Sequence, residues 1–103
     1  MSEINCIARF LAVSGKKNIL IEELTKLIPL TISEKGCMHY ELTEEIEYQG
    51  AAGRCWDVCL IETWRSREDF EQHCNTEYIK NFFDLTSKNI VELYDVRLYS
   101  PLM

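Results

Sequence analysis

Three side chains within one short run have the types and spacing for proton chemistry: Glu62, Trp64 and His73, in Cys59-Leu-Ile-Glu-Thr-Trp-Arg-Ser-Arg-Glu-Asp-Phe-Glu-Gln-His73. An imidazole has an ordinary pKa of about 6.5, so His73 can take and return protons at neutral pH. Glu62 is an acid in an otherwise apolar stretch, and a carboxylate removed from water needs a partner. Two kinds of partner are open: the imidazole of His73, which the carboxylate would orient, or an ion pair with Arg9 or Arg97 from a neighbouring strand. Trp64 offers an aromatic wall beside either arrangement.

The elements that must position these groups follow from periodicity. Trp56, Val58, Leu60, Glu62 and Trp64 alternate with Asp57, Cys59, Ile61, Thr63 and Arg65, which predicts a strand that is largely apolar on both faces. Ser66-Arg-Glu-Asp69 then reads as a helix start: the hydroxyl accepts a first-turn N–H, and the acids suit the positive helix end. Phe70, His73, Cys74 and Glu77 fall three or four apart, placing His73 on the core-facing side of that helix. Upstream, Ile4 to Val13 alternates as a strand. Lys16 to Lys35 carries a helical stripe of Leu20, Leu24, Leu27, Ile28, Thr31 and Ile32. Pro29 removes one of its hydrogen bonds, and Gly36 suits a left-handed cap. Cys37 to Ile46 is the second strand, and residues 47–54, with Gln49-Gly-Ala-Ala-Gly53, connect it to the third. The second helix is interrupted near Asn75-Thr76. Val91 to Tyr99 is the last strand, ended by Ser100-Pro101.

The order β-α-β-β-α-β predicts an α+β fold, a ferredoxin-like sandwich with both helices on one face of a four-stranded antiparallel sheet. At 103 residues the chain reads as one domain, residues 1–103. Its 47% hydrophobic and 27% charged residues fit a globular protein. Lys and Arg are outnumbered 11 to 17 by Asp and Glu, leaving a net charge of −6, which argues against nucleic acid and against an anionic membrane surface. The opening Met1-Ser-Glu-Ile-Asn-Cys lacks a signal peptide's basic start and apolar centre, and the expected location is cytoplasmic. Cys6, Cys37, Cys55, Cys59 and Cys74 are odd in number with no C-x-x-C spacing, so no metal site is expected and the thiols read as small buried hydrophobes.

Gly36-Cys37-Met38-His39-Tyr40, then Glu62-Thr63-Trp64-Arg65-Ser66, then His73 with Thr76-Glu77-Tyr78 and Phe82, resemble the pattern of the antibiotic biosynthesis monooxygenase family. Leu27-Ile28-Pro29 before Glu34-Lys35-Gly36-Cys37, and the closing Val91-Glu92-Leu93 and Val96-Arg97-Leu98, are most similar to its quinol monooxygenase branch. The likeness runs from about Ile4 to Leu102.

That resemblance implies a dimeric α+β barrel, in which two sheets pack face to face as a homodimer. It implies a pocket between helices and sheet, with Tyr40, Glu62, Trp64, His73 and Tyr78 in or beside it. The activity implied is a cofactor-independent monooxygenase that joins a quinol or small polyphenolic aromatic to O2. Such a substrate loses a proton, and its electron-rich anion itself reduces dioxygen, without metal or flavin. His73 would be the base, Glu62 its catalytic partner, and Trp64, Phe10 and Phe82 an aromatic wall. Two alternatives stay open: an isomerase of a small carbonyl compound, and a non-catalytic small-ligand-binding stress module. The structural reading of each residue stands beside these. His73 would then be a satisfied core histidine, Trp64 a core side chain, and Tyr40 and Tyr78 phenols hydrogen-bonded inside the core.

Overall fold

The computed structural model describes residues 3–103. In chain order the elements are β1 (Ile4–Ala12), α1 (Lys17–Ile32), β2 (Cys37–Thr43), β3 (Val58–Trp64), α2 (Arg67–Cys74), α3 (Glu77–Thr86) and β4 (Val91–Tyr99). The strands form one antiparallel sheet in the order β2-β3-β1-β4, with the β-branched and apolar strands β1 and β3 at its centre. This is the ferredoxin-like α+β arrangement expected from the alternation of elements.

Register decides which side chains meet. Cys6 lies opposite Glu62 on β3 and Leu98 on β4, and Tyr40 on β2 also lies opposite Glu62. Directly opposed residues share a face, so Cys6, Ala8, Phe10, Tyr40, Leu60, Glu62 and Trp64 look toward the helices. Against them α1 sets Leu20, Leu24, Leu27 and Thr31, spaced three or four apart and all buried. Pro29 does not end α1, which runs on to Ile32.

Three local expectations change. The second strand stops at Thr43, short of Ile46, because the acidic run Glu44-Glu45 leaves the sheet and Ile46 stands exposed. Trp56 precedes β3 and does not join the core-facing set. Its ring lies 4.6 Å from the guanidinium of Arg9, on the far face of the sheet, where a cation–π contact replaces strand pairing. Gly36 is not a left-handed cap; among the described residues only Gly15 and Gly53 have positive φ. Its reason is proximity. A Cβ at Gly36 would collide with the Asp69 side chain, so glycine lets the turn after α1 press against the first turn of α2. The backbone N–H of Arg65 donates to the Gly36 carbonyl at 2.8 Å and ties the same two turns together.

The break in the second helix is as expected. Asn75 ends α2, its N–H bonding the Gln72 carbonyl, and α3 restarts at Glu77 with Thr76 extended before it. On the far face of the sheet Arg9 and Arg97 both pair with Asp95, at 2.6 and 3.3 Å, beside Ile61, Leu93 and Tyr99, which stay exposed in the single chain.

Candidate active site

The site is assembled from α2 downward. Ser66 accepts the Asp69 N–H at 3.1 Å and starts α2 in a fixed place. Two turns later His73 emerges on the buried face, only 4% exposed. Four aromatic rings enclose it: Trp64 with its centroid at 4.6 Å, Tyr40 at 5.9 Å, Tyr78 at 6.1 Å and Phe70 at 6.4 Å. Burial pulls the imidazole pKa below its ordinary value, against the opposing pull of Glu34, so the ring is neutral at physiological pH.

Glu34 is the partner of His73. Its Oε2 lies 2.8 Å from His73 Nδ1 and also accepts the Tyr78 hydroxyl, with Thr31 Oγ1 3.4 Å from that hydroxyl. Glu34 follows the C-terminus of α1, where the helix dipole disfavours a negative charge, so two donors converge on it. An Nδ1–H donated to Glu34 selects one tautomer and leaves the Nε2 lone pair free. Among the described residues the side-chain hydrogen bond of this ring is the one at Nδ1.

Glu62 sits deeper. It is 3% exposed, and its Oε1 accepts the indole N–H of Trp64 at 2.8 Å. Burial pushes its carboxyl up to about 7, against the indole and the nearby Cys6 thiol, which favour the charged form. The expected partnerships with His73, Arg9 or Arg97 are therefore replaced. Trp64 lies two residues along the same strand face and reaches Glu62 directly, while both arginines are held by Asp95 on the opposite face.

A cavity of about 50 Å³ lies between helices and sheet, walled by apolar side chains together with Glu62, His73 and the Cys6 and Cys74 thiols. Phe10, Tyr40, Phe82, Glu62 and His73 line it. Phe10 and Phe82 meet edge to face, with centroids 6.0 Å apart. Trp64 lies behind His73 and is fully buried, and Tyr78 reaches Glu34 from the groove between α1 and α3. Burial raises both cavity thiols, Cys74 to about 11 and Cys6 further, and raises the Tyr40 phenol, so these groups stay protonated. A wider concavity of about 480 Å³ under the 44–57 connection is lined by Glu45, Glu47, Tyr48 and Cys55 and holds no imidazole. The smaller cavity is the one lined by both Glu62 and His73.

The sequence profile described as antibiotic biosynthesis monooxygenase matches residues 4–85, from the start of β1 into the last turn of α3. The chain belongs to the antibiotic biosynthesis monooxygenase family. Its similarity to the probable quinol monooxygenase YgiN of Escherichia coli K12 is 21% identity over 89 residues, covering 82% of this chain and 83% of that one. Protein SO0527 of Shewanella oneidensis superposes with a TM-score of 0.83 at 31% identity, over 97% of this chain and 91% of that chain. A protein of Bacteroides fragilis NCTC 9343, described as dimeric with a ferredoxin-like fold, superposes with a TM-score of 0.76 at 10% identity, over 98% of both chains.

In this antibiotic biosynthesis monooxygenase domain, the residue most readily missed from sequence is Glu34. One signal pointed to it: an acid just past a helix C-terminus is unfavourable there unless donors converge on it. Thr31 reads from the sequence as part of an apolar stripe, yet its hydroxyl oxygen lies 3.4 Å from that of Tyr78.

Proposed function

We propose that the chain is a cofactor-independent monooxygenase acting on a quinol or small polyphenolic aromatic with O2. One observation carries this reading: a neutral imidazole with a free Nε2 and a carboxyl poised near neutral pH line one apolar cavity, in a chain of monooxygenase ancestry. Nε2 of His73 takes the phenolic proton. The resulting anion passes electrons to dioxygen and bonds it at a ring carbon. Loss of water from that adduct leaves one oxygen on the ring as a hydroxyquinone and releases the other as water, so a quinol and O2 give a hydroxyquinone and H2O. Glu62, in its acid form, supplies the proton to the departing oxygen, and the phenol of Tyr40 faces the developing oxyanion.

The cavity of about 50 Å³ has room for only a few waters. An aromatic ring enters by moving the rim, where Phe83, Cys74 and Val96 are less buried than Phe10 and Phe82 within. The test is oxygen uptake by metal-stripped protein given a chemically reduced naphthoquinol, with the quinol alone as reference. Uptake above autoxidation should fall roughly tenfold or more in His73→Ala and in the bulkier His73→Gln. Equal rates with and without protein reject the quinol reading. The neutral base and protonated acid also suit isomerisation of a small carbonyl compound, and turnover that persists without oxygen would select that reaction instead.

The reading includes a homodimer. Ile61, Leu93 and Tyr99 leave an apolar strip on the far face of the sheet, beside the Arg9–Asp95 pair, whose Arg9 Nε and Asp95 Oδ1 are buried without a protein partner. A second copy related by a twofold axis would cover both. Sedimentation equilibrium should give twice the mass of the 12.1 kDa chain, and Ile61→Lys should return the monomer; a wild-type monomer at micromolar concentration would reject the dimer.

A further inference from the structure

We infer that Phe83 is a specificity-determining residue: it partitions the cavity that holds Glu62 and His73 from a groove beside it, and the substrate is a quinol carrying an apolar substituent that lies in that groove. This rests on the reading of the cavity as a quinol site. Volume is the first ground. A dry apolar cavity of about 150 Å³ takes one benzene molecule, and the inner cavity, at about 50 Å³, is smaller. A substrate ring therefore enters only where a wall moves and joins the cavity to space beyond it.

Phe83 is the wall that borders such space. It lines the cavity and also a groove of about 200 Å³ between the end of α3 and the start of β4. On the cavity side its ring lies 6.4 Å from Phe10 and 5.1 Å from Phe82, and on the groove side 4.9 Å from Tyr94. Phe10 and Phe82 are buried, whereas Phe83 is half-buried and Tyr94 exposed, so Phe83 is the ring with room to turn. The groove suits hydrocarbon. Val91 and Thr86 wall it, and the Thr86 hydroxyl is already donated to the Phe82 carbonyl at 2.8 Å. The Glu92 carboxylate in the same lining disfavours an acidic substituent. The groove between α1 and α3 also borders the cavity, through Leu27 and Phe82, but both are more than nine-tenths buried, and the charged Glu23 and Lys26 line it.

Two redox-inert probes test the groove without turnover: resorcinol and butylresorcinol, which share a dihydroxybenzene ring and differ only in the chain. Each methylene taken out of water strengthens binding about fourfold, so calorimetric titration should find the butyl compound bound roughly tenfold or more tightly by the wild type. NMR of the complex should show contacts from the butyl chain to the methyl groups of Thr86 and Val91. Phe83→Trp, which puts a larger ring at the partition, should bring the two affinities to within about twofold. Equal affinities in the wild type overturn the inference, as do chain contacts to Leu30 and Leu85 of the groove between α1 and α3, or binding of neither probe at millimolar concentration. A chain seated at Thr86 and Val91 in a protein that oxidises no quinol would leave the subsite standing and reject the reaction. Quinol oxidation with no chain contact at those two residues would do the reverse.

Discussion

Replacing Trp64 by alanine is expected to cost the fold about 3–5 kcal/mol, a large share of the stability of a domain this size. The indole is fully buried, contacts both Phe70 and His73, and donates the hydrogen bond that Glu62 receives. Truncation therefore opens a large cavity and also strips a buried carboxylate of its donor. Trp64→Phe separates the two effects. It retains most of the ring and loses only the N–H, so its cost should be smaller, about 1–3 kcal/mol, and greater at about pH 8 than at about pH 5. The sign follows from Glu62: the lost N–H favoured the charged carboxylate, which is populated in the folded protein only above about 7. Urea unfolding at the two pH values measures both variants. A Trp64→Phe cost that is the same at both would mean the indole does not stabilise the Glu62 carboxylate.

Glu62→Gln is expected to do the opposite and raise stability at alkaline pH. The folded protein holds this carboxyl at about 7 against an ordinary 4.5, so folding favours its protonated form. That contribution is fully present below about pH 4.5. It is lost as pH rises, because the unfolded chain ionises first and the buried group follows only near 7. Above that point the charged carboxylate costs the fold about 3 kcal/mol relative to low pH. Glutamine keeps an oxygen to accept from Trp64 and never ionises. The stability difference between Glu62→Gln and wild type should therefore swing toward the variant by up to about 3 kcal/mol between about pH 4.5 and pH 8. The neutral, buried His73 acts in the other direction, since its depressed pKa costs stability as pH falls below its ordinary value, but it does so in both proteins. A pH-independent difference would show that Glu62 is ionised throughout. If the proposed chemistry holds, the same variant loses oxygen uptake while gaining stability, the exchange expected of a residue kept for function.

These two residues also show how far the chain can be read without coordinates. The strand from Val58 to Trp64, the serine that starts α2 and the buried face carrying His73 are all local facts, written in period-two alternation, one capping hydroxyl and helical spacing. Partner choice is not local. Glu62 and Arg9 sit on adjacent strands, and nothing in their spacing says they point to opposite faces. One residue of register separates Arg9, opposite Cys59, from Ala8, which shares the face of Cys6 and Glu62. Trp56 left the strand because its ring found a guanidinium across the sheet, a contact 47 residues away by numbering. Glu34 was hidden for the same reason: it is 39 residues from the imidazole it holds. The glycine two residues after it was legible as special, but for the wrong cause. Sequence shows that a side chain is missing, whereas only the fold shows what occupies the space.

The seam where Gly36 meets Asp69 has a consequence for how this scaffold changes over time. Glu34 lies two residues before that seam and His73 four residues after it, and the Arg65–Gly36 hydrogen bond locks the same crossing. The spacing between imidazole and acid is thus set by main chain against main chain. It does not depend on Phe10, Phe82 or Phe83, which shape the far end of the cavity. Those walls can change in size and shape while the acid and the imidazole stay in register, because the pair of turns that spaces them lies outside the walls.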